Sequence, residues 1–183
     1  ALQISQTCHE ETLKHPLVAA TLCQIGSVYY RERNAPSTIN SKTGDYDTFI
    51  EAGMLDVIGR AHEDRGSYKM AISFFEEKLQ FLRNRDEEAE TPVEVSATLN
   101  SLGMLSTRVG LFSEAIEYYD SALSIQKELG CDEIYVATSQ VLKGAVEFQM
   151  GNWRKALKIL VEAHAVLVDE LGGEHQTVAA TLY

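Results

Sequence analysis

The pattern of apolar and polar residues along this chain predicts helices over most of its length, arranged in recurring pairs. In three segments the apolar residues recur at intervals of three and four, which is typical of a helix with one buried face. These segments read KMAISFFEEKLQFL, SEAIEYYDSALSIQKEL and RKALKILVEAHAVLVDEL. A second helical pattern precedes each of them. We call the first member of a pair helix A and the second helix B.

Small residues stand at fixed spacing in each pair. A marker glycine in helix A is followed by a second glycine seven residues later, and by an alanine five residues after that. The three sets are Gly59, Gly66 and Ala71; Gly103, Gly110 and Ala115; Gly144, Gly151 and Ala156. A glycine inside a helix costs about 1 kcal/mol relative to alanine. We therefore expect a neighbouring helix to approach each marker glycine closely, and each second glycine to end helix A in a left-handed conformation.

Further residues recur in register with these glycines. Helix B is predicted to open at Tyr68, Phe112 or Trp153 and to carry two sets of matching apolar residues. One set is Phe75, Tyr119 and Leu160, and the other is Ile72, Ile116 and Leu157. Val95, Val136 and Val178 are also equivalent, at spacings of 41 and 42 residues. Helix hairpins stacked in a row form an α-solenoid, so the predicted fold class is all-α, an α-α superhelix.

The phrase that opens helix A points to a known family. It reads HPLVAATL from His15 and HQTVAATL from His175, with partial matches at TPVEVSATL and EIYVATSQV. This resembles the tetratricopeptide repeat (TPR), in its longer form of roughly 42 residues found in kinesin light chains and nephrocystin-like proteins. The resemblance implies a TPR solenoid of antiparallel helix hairpins with a concave groove that binds peptides. In such repeats a Leu-Asn pair before the marker glycine contacts the bound backbone, and Leu99-Asn100 retains it here.

The repeats predict a single TPR array over residues 1–183, as a slice of a longer protein. The polar residues 34–48 have no helical period; either a helix B has degenerated into a loop there, or the segment spans the site of an insertion. Lys143 stands where Ile58 and Leu102 are apolar, so the helix that contains it could be rotated or shifted by one residue. The predicted divisions are the tail of a preceding helix B (1–13), a first helix A (16–33), the irregular segment (34–48), three repeats (49–85, 93–129 and 134–171) and a further helix A (175–183).

The charge of the chain limits the class of partner. With 16 Lys and Arg against 27 Asp and Glu, the net charge is −11. Such a surface repels phosphate backbones and anionic lipid heads, so neutral or basic protein segments are the favoured partners over nucleic acid or membranes. No apolar run approaches the roughly 18 residues that a membrane-spanning helix needs. The three cysteines are odd in number and far apart, as in a reducing compartment, so we expect a cytoplasmic protein.

The residues offer no catalytic constellation. The five histidines lack the spacing of a metal site, and neither a phosphate-binding loop nor a nucleophile motif occurs. We therefore expect no enzymatic activity, no metal and no cofactor.

The predicted function is that of a scaffold or adaptor that holds peptide segments in the TPR groove. Its candidate residues lie three before, one after and four after the marker glycines, on one face of helix A. Gly26 is the marker glycine of the first helix A. The candidate residues are Ser27, Tyr30, Asp56, Arg60, Glu63, Asn100, Met104, Thr107 and Phe148.

A purely structural role is the alternative for several of these residues. Asn100 could be a locally bonded surface amide, Arg60 could pair with Glu63 or Asp64, and Tyr30 and Phe148 could belong to the core. The alternative function is that of a fixed structural subunit of a large assembly.

Overall fold

The chain is all-α over the residues that its computed structural model describes, which are 46–84, 91–173 and 175–180. The seven helices are α1 (Tyr46–Asp64), α2 (Tyr68–Arg83), α3 (Thr91–Arg108), α4 (Phe112–Glu128), α5 (Glu133–Gln149), α6 (Trp153–Leu171) and α7 (Gln176–Ala180). Short turns join α1 to α2, α3 to α4 and α5 to α6, so each pair forms an antiparallel hairpin. The predicted fold class is confirmed.

Helix α1 begins earlier than the sequence pattern indicates. It starts at Tyr46, inside the segment 34–48 that was predicted to be irregular. Tyr46, Asp47 and Thr48 include neither glycine nor proline, so nothing in them stops a helix from extending toward its N-terminus. The rest of that segment, and the predicted elements at 1–13 and 16–33, lie outside the described residues.

The described helices belong to two compact units, one ending at Lys78 and the other beginning at Leu79. In the first unit, Leu55 and Ile58 of α1 form a buried cluster with Phe74 of α2. In the second, one cluster centres on Ala115, Tyr119 and Val146, and another joins Ala137, Ala163, Leu167 and Val178. The single array over the whole chain stays a prediction.

Glycine ends the first helix of every hairpin in the same way. Gly66, Gly110 and Gly151 have φ values of 72°, 83° and 81°. At Gly110 the backbone N–H donates to Thr107 O, and the next N–H, from Leu111, donates to Ser106 O. This pair of bonds is a Schellman motif, and both other turns repeat it. Helix B then starts at Tyr68, Phe112 or Trp153, as predicted.

The marker glycines are sites of close helix approach, which confirms the reason given for their presence. A Cβ added at Gly59 would lie 2.8 Å from Phe75 Cε2, and one at Gly103 would lie 2.7 Å from Tyr119 Cε1. At Gly144 the corresponding distance to Leu160 Cδ2 is 2.8 Å. Because Gly144 packs in the same register as the other two glycines, the shift suggested for the helix that contains Lys143 is wrong. Lys143 instead pairs with Asp120 of α4 at the edge of the core.

A pair of glycines on α1 tests this packing. Gly59→Ala should lower the free energy of unfolding by roughly 1–3 kcal/mol, because the added methyl meets the ring of Phe75, which is 1% exposed. Gly53→Ala is the matched control, since nothing lies within 4 Å of its added Cβ. It should raise stability by about 0.5–1 kcal/mol through helix propensity. Chemical denaturation measures both; equal effects would contradict the close contact.

Candidate functional site

In the first unit, the predicted binding position Asp56 is held by two cations of its own hairpin. Lys78 Nζ on α2 donates to Asp56 Oδ1 at 2.8 Å, and Arg60 Nε lies 2.7 Å from Asp56 Oδ2. Both carboxylate oxygens therefore have internal partners. Arg60 forms an ion pair with Asp56, because one turn of helix separates the two side chains. Glu63, half-buried, also has an interaction within the structure.

The ion pair of Asp56 and Lys78 lies at two repeat positions that hold neutral residues in the other described repeats. Lys78 stands 19 residues after its marker glycine, where the second and third repeats carry the buried Ala122 and Ala163. The Lys78 side chain is itself buried, with 5% of the residue exposed. A buried ammonium needs a nearby carboxylate, so Asp56 is explained by its partner on α2.

Exchanging this pair for that of the next repeat tests its role. Asp56→Asn should lower the free energy of unfolding by roughly 2–3 kcal/mol, because it takes the carboxylate away from a buried ammonium. Adding Lys78→Ala, which gives the combination found at Asn100 and Ala122, should recover most of that loss. Arg60→Ala is the control; it removes the exposed partner and should change stability by less than about 0.5 kcal/mol.

Urea denaturation of the single and double variants measures these effects. A double variant less stable than Asp56→Asn alone would show that the two residues do not depend on each other.

In the second unit, Asn100 belongs to a buried polar junction of three helices. Asn100 Nδ2 on α3 donates to Ser139 Oγ on α5 at 2.8 Å, and Gln126 Nε2 on α4 donates to the same oxygen at 2.9 Å. Ser139 Oγ in turn donates to Tyr135 O at 3.3 Å. Asn100 is thus bonded to another helix, not locally. One hydroxyl holds one repeat against the next.

The junction is incompletely satisfied. Asn100 Oδ1 and Gln126 Oε1 are buried and have no hydrogen-bond partner in the described part of the chain. Sequence reasoning missed Ser139 and Gln126, although one signal was present: the positions that match Gln126 in the other repeats hold Leu82 and Leu167. A lone polar residue at an otherwise apolar repeat position indicates a local hydrogen-bond partner.

Two variants separate the roles within the junction. Ser139→Ala should cost roughly 2–4 kcal/mol of unfolding free energy, because two buried amide groups lose their acceptor at once. Gln126→Leu should leave stability within about 1 kcal/mol of the parent, or raise it, since it removes a buried oxygen without a partner. Thermal and urea unfolding give both values. A Gln126→Leu chain as unstable as Ser139→Ala would contradict this assignment.

The position one residue after the marker glycine is exposed in all three described repeats. It holds Arg60 in the first unit, and Met104 and Ala145 in the second. The exposure of the residue four positions after the glycine varies more between repeats. Thr107 is half-buried and donates from Oγ1 to Gly103 O at 2.8 Å, whereas Phe148 is 61% exposed and so is not a core residue here. Ser27 and Tyr30 lie outside the described residues.

The side chains with shifted pKa values have structural explanations. Burial, and then the charge of Arg65, lower the pKa of His62, whose ring stacks on Phe74 with centroids 5.3 Å apart. Burial raises the pKa of Tyr119 to about 12, against the effect of a hydrogen bond with Thr107. His62 and Tyr119 thus belong to the packing inside their hairpins.

Glu147 is also inside its hairpin. Burial would raise its pKa, but hydrogen bonds from Lys155 and Asn152 outweigh this effect and lower it. Within the described ranges, no three His, Cys, Asp or Glu side chains are grouped to hold a metal ion. Nor is any described helix long and apolar enough to cross a membrane.

Comparison with known proteins gives the same architecture. The tetratricopeptide-repeat family profile matches residues 94–167, which include α4 and α5. No curated protein matches the chain in sequence.

Solved structures match in fold. BtubC (BKLC) from P. vanneervenii has 19% identity and a TM-score of 0.65, over 91% of this chain and 61% of its own. The Rap conjugation gene regulator of plasmid pLS20, in complex with the Phr* peptide, has 15% identity and a TM-score of 0.65, over 81% of this chain and 41% of its own. Nearly identical TPR-like repeats of a kinesin light chain assigned in Podosopora anserina have 17% identity and a TM-score of 0.64, over 90% of this chain and 72% of their own. The chain spans less than two thirds of the length of BtubC and of the Rap regulator.

Proposed function

Because residues 94–167 match the tetratricopeptide-repeat family and the fold is similar to that of kinesin-light-chain-like repeats, we propose that the chain is a non-catalytic scaffold that binds peptide segments of partner proteins. The observation that carries the proposal is the exposed position after each marker glycine. A repeat needs helix A for packing, yet the residue at this position is exposed in every described copy. Surfaces that a repeat array leaves free on one face are where such arrays bind their partners.

The chemistry of the second unit favours apolar contacts with the partner. The Nδ2 group of Asn100 and the hydroxyl of Thr107 already donate internal hydrogen bonds, and Asn100 Oδ1 is buried, so these groups are poorly placed to bond a peptide backbone. At the candidate positions of these two helices, the exposed side chains are Met104, Ala145 and Phe148, which are uncharged and apolar. Methionine adapts its shape to varied partners, and aromatic side chains supply large contact areas. The proposed ligand is therefore a short segment with one or two apolar anchor residues.

The charge of the chain adds a second preference. With a net charge of −11, long-range attraction favours basic segments over acidic ones, and this attraction weakens as salt increases. The TPR regulator that resembles this chain was solved with a peptide, the Phr* peptide, which supports peptide binding as a use of this fold. A reducing, cytoplasmic setting is part of the same proposal.

Selection from a random peptide library followed by fluorescence anisotropy tests the proposal. Selected peptides should share apolar anchors and bind with micromolar dissociation constants. Met104→Ala and Phe148→Ala should each weaken binding by about 5- to 10-fold, near 1 kcal/mol, because each removes exposed apolar contact area. Glu117→Ala, an exposed substitution on α4, is the control and should leave the affinity unchanged.

Two outcomes would overturn the scaffold proposal. One is that no peptides with a shared pattern are selected. The other is that peptides bind equally well to the parent, to Met104→Ala and to Phe148→Ala, which would place binding elsewhere. Purification of the protein with one stoichiometric set of partners that survives both substitutions would favour the alternative, a fixed structural subunit. The exposed apolar side chains of α6 are the observation that favours this alternative.

A further inference from the structure

The first two turns of α6 carry a cluster of positive charge on a chain that is strongly acidic. Arg154, Lys155 and Lys158 are exposed, and residues 148–161 contain no Asp or Glu, although the net charge of the chain is −11. We call these three side chains the α6 basic patch. Arg154 and Lys158 are four residues apart, so they lie on the same side of the helix. The patch is therefore a local reversal of the charge of the chain.

The matching face of α4 has the opposite charge. Counted from the marker glycines, the residues that match the α6 basic patch are Ser113, Glu114 and Glu117. All three are exposed, although α5 packs against α4. A helix that packs on α4 thus leaves this face uncovered. The exposure of the basic patch is therefore a property of the repeat position and does not depend on which helix follows.

The contacts of the hairpin explain only one of the three cations. Lys155 Nζ pairs with the buried carboxylate of Glu147 on α5, which also accepts a hydrogen bond from Asn152. Neither Arg154 nor Lys158 has an ion pair in the described part of the chain. The helix dipole disfavours positive charge in a first turn, and α6, unlike α4, has no acidic residue there. The fold therefore gives these two cations no structural role.

We propose that the α6 basic patch binds an acidic segment of a partner protein, whose carboxylates pair with Arg154 and Lys158. Charge complementarity identifies this partner, because guanidinium and ammonium groups bind carboxylates through charge-assisted hydrogen bonds. A long polyanion such as nucleic acid, or an anionic membrane, would extend over the acidic remainder of the chain and be repelled. A short acidic segment can contact the patch alone.

The spacing of the patch limits the sequence pattern of the segment. Residues four apart on a helix have Cβ atoms about 6 Å apart. In an extended peptide every second residue lies on the same side, at a spacing of about 7 Å. Acidic residues at alternate positions therefore match Arg154 and Lys158. The net charge of the chain permits this contact, because at physiological salt exposed charges more than about 8–10 Å away are largely screened.

Fluorescence anisotropy with a labelled Glu-Ser-Glu-Ser-Glu-Ser peptide tests the proposal, and the peptide with Gln in place of Glu is the probe control. The acidic peptide should bind in the micromolar range at about 50 mM salt, and several-fold more weakly at about 200 mM. The Gln peptide should not bind. Absence of binding by the acidic peptide, or equal binding of the two peptides, would overturn the proposal.

A double variant gives α6 the residues of α4. Arg154→Ser with Lys158→Glu should weaken binding of the acidic peptide by at least about 10-fold, because it removes both unpaired cations. Lys155 is kept, since its loss would leave the buried carboxylate of Glu147 without its cation. Both substituted residues are exposed, so the midpoint of urea unfolding should not fall. Met104→Ala should leave this binding unchanged, which separates the patch from the proposed groove.

Two controls separate the patch from less specific effects. Arg108→Ser with Lys127→Glu changes the net charge by the same amount at exposed positions outside the patch, and should keep the affinity within about 2-fold. An equal loss in both double variants would show that net charge controls binding and would contradict the proposal. Single-stranded DNA of similar length that binds as tightly as the peptide would identify a nucleic-acid surface and also overturn it.

Discussion

The contact between each marker glycine and one large side chain of helix B sets the geometry of every hairpin. The partner stands 16 residues after the glycine in all three cases, as with Gly103 and Tyr119. A methyl group at the glycine would overlap the partner, so the two helix axes lie closer here than other residues would allow. The Schellman turn between them fixes where helix B begins and so brings the same residue opposite the glycine each time. The fixed spacing in sequence therefore gives every hairpin the same packing register.

Contacts between successive hairpins are less uniform, and their chemistry can be changed without loss of the repeat. In the second unit, α4 meets α5 through apolar side chains near Ile116, an ion pair of Asp120 with Lys143, and the amide junction at Ser139. The matching positions of α6 carry Leu157, Val161 and Leu167, all apolar. The face that α4 presents to α5 thus differs in chemistry from the matching face of α6. Differences of this kind distinguish otherwise similar hairpins as neighbours.

The repeat pattern predicted the hairpins well because it reports contacts within one repeat. The glycines, the turns and the residues that open helix B all follow from spacing that three copies share. The polar contacts could not be predicted in this way, because each is present once. Asp56 bonds to Lys78 and Asn100 bonds to Ser139, and the repeat pattern indicates neither partner. A position on the binding face of a helix does not reveal whether its side chain already has a partner on another helix.

Comparison between repeats also distinguishes the two exposed apolar surfaces of the second unit. Met104 and Ala145 occupy the same repeat position and are both exposed, so their exposure does not depend on which helix follows. Leu157 is exposed while its equivalent Ile116 is packed, so the exposure of this repeat position differs between the described helices. The first behaviour is expected of a ligand-binding surface, and the second of a stacking surface. In a repeat protein, an apolar side chain is therefore best judged by whether its equivalents are covered, and not by its own exposed area.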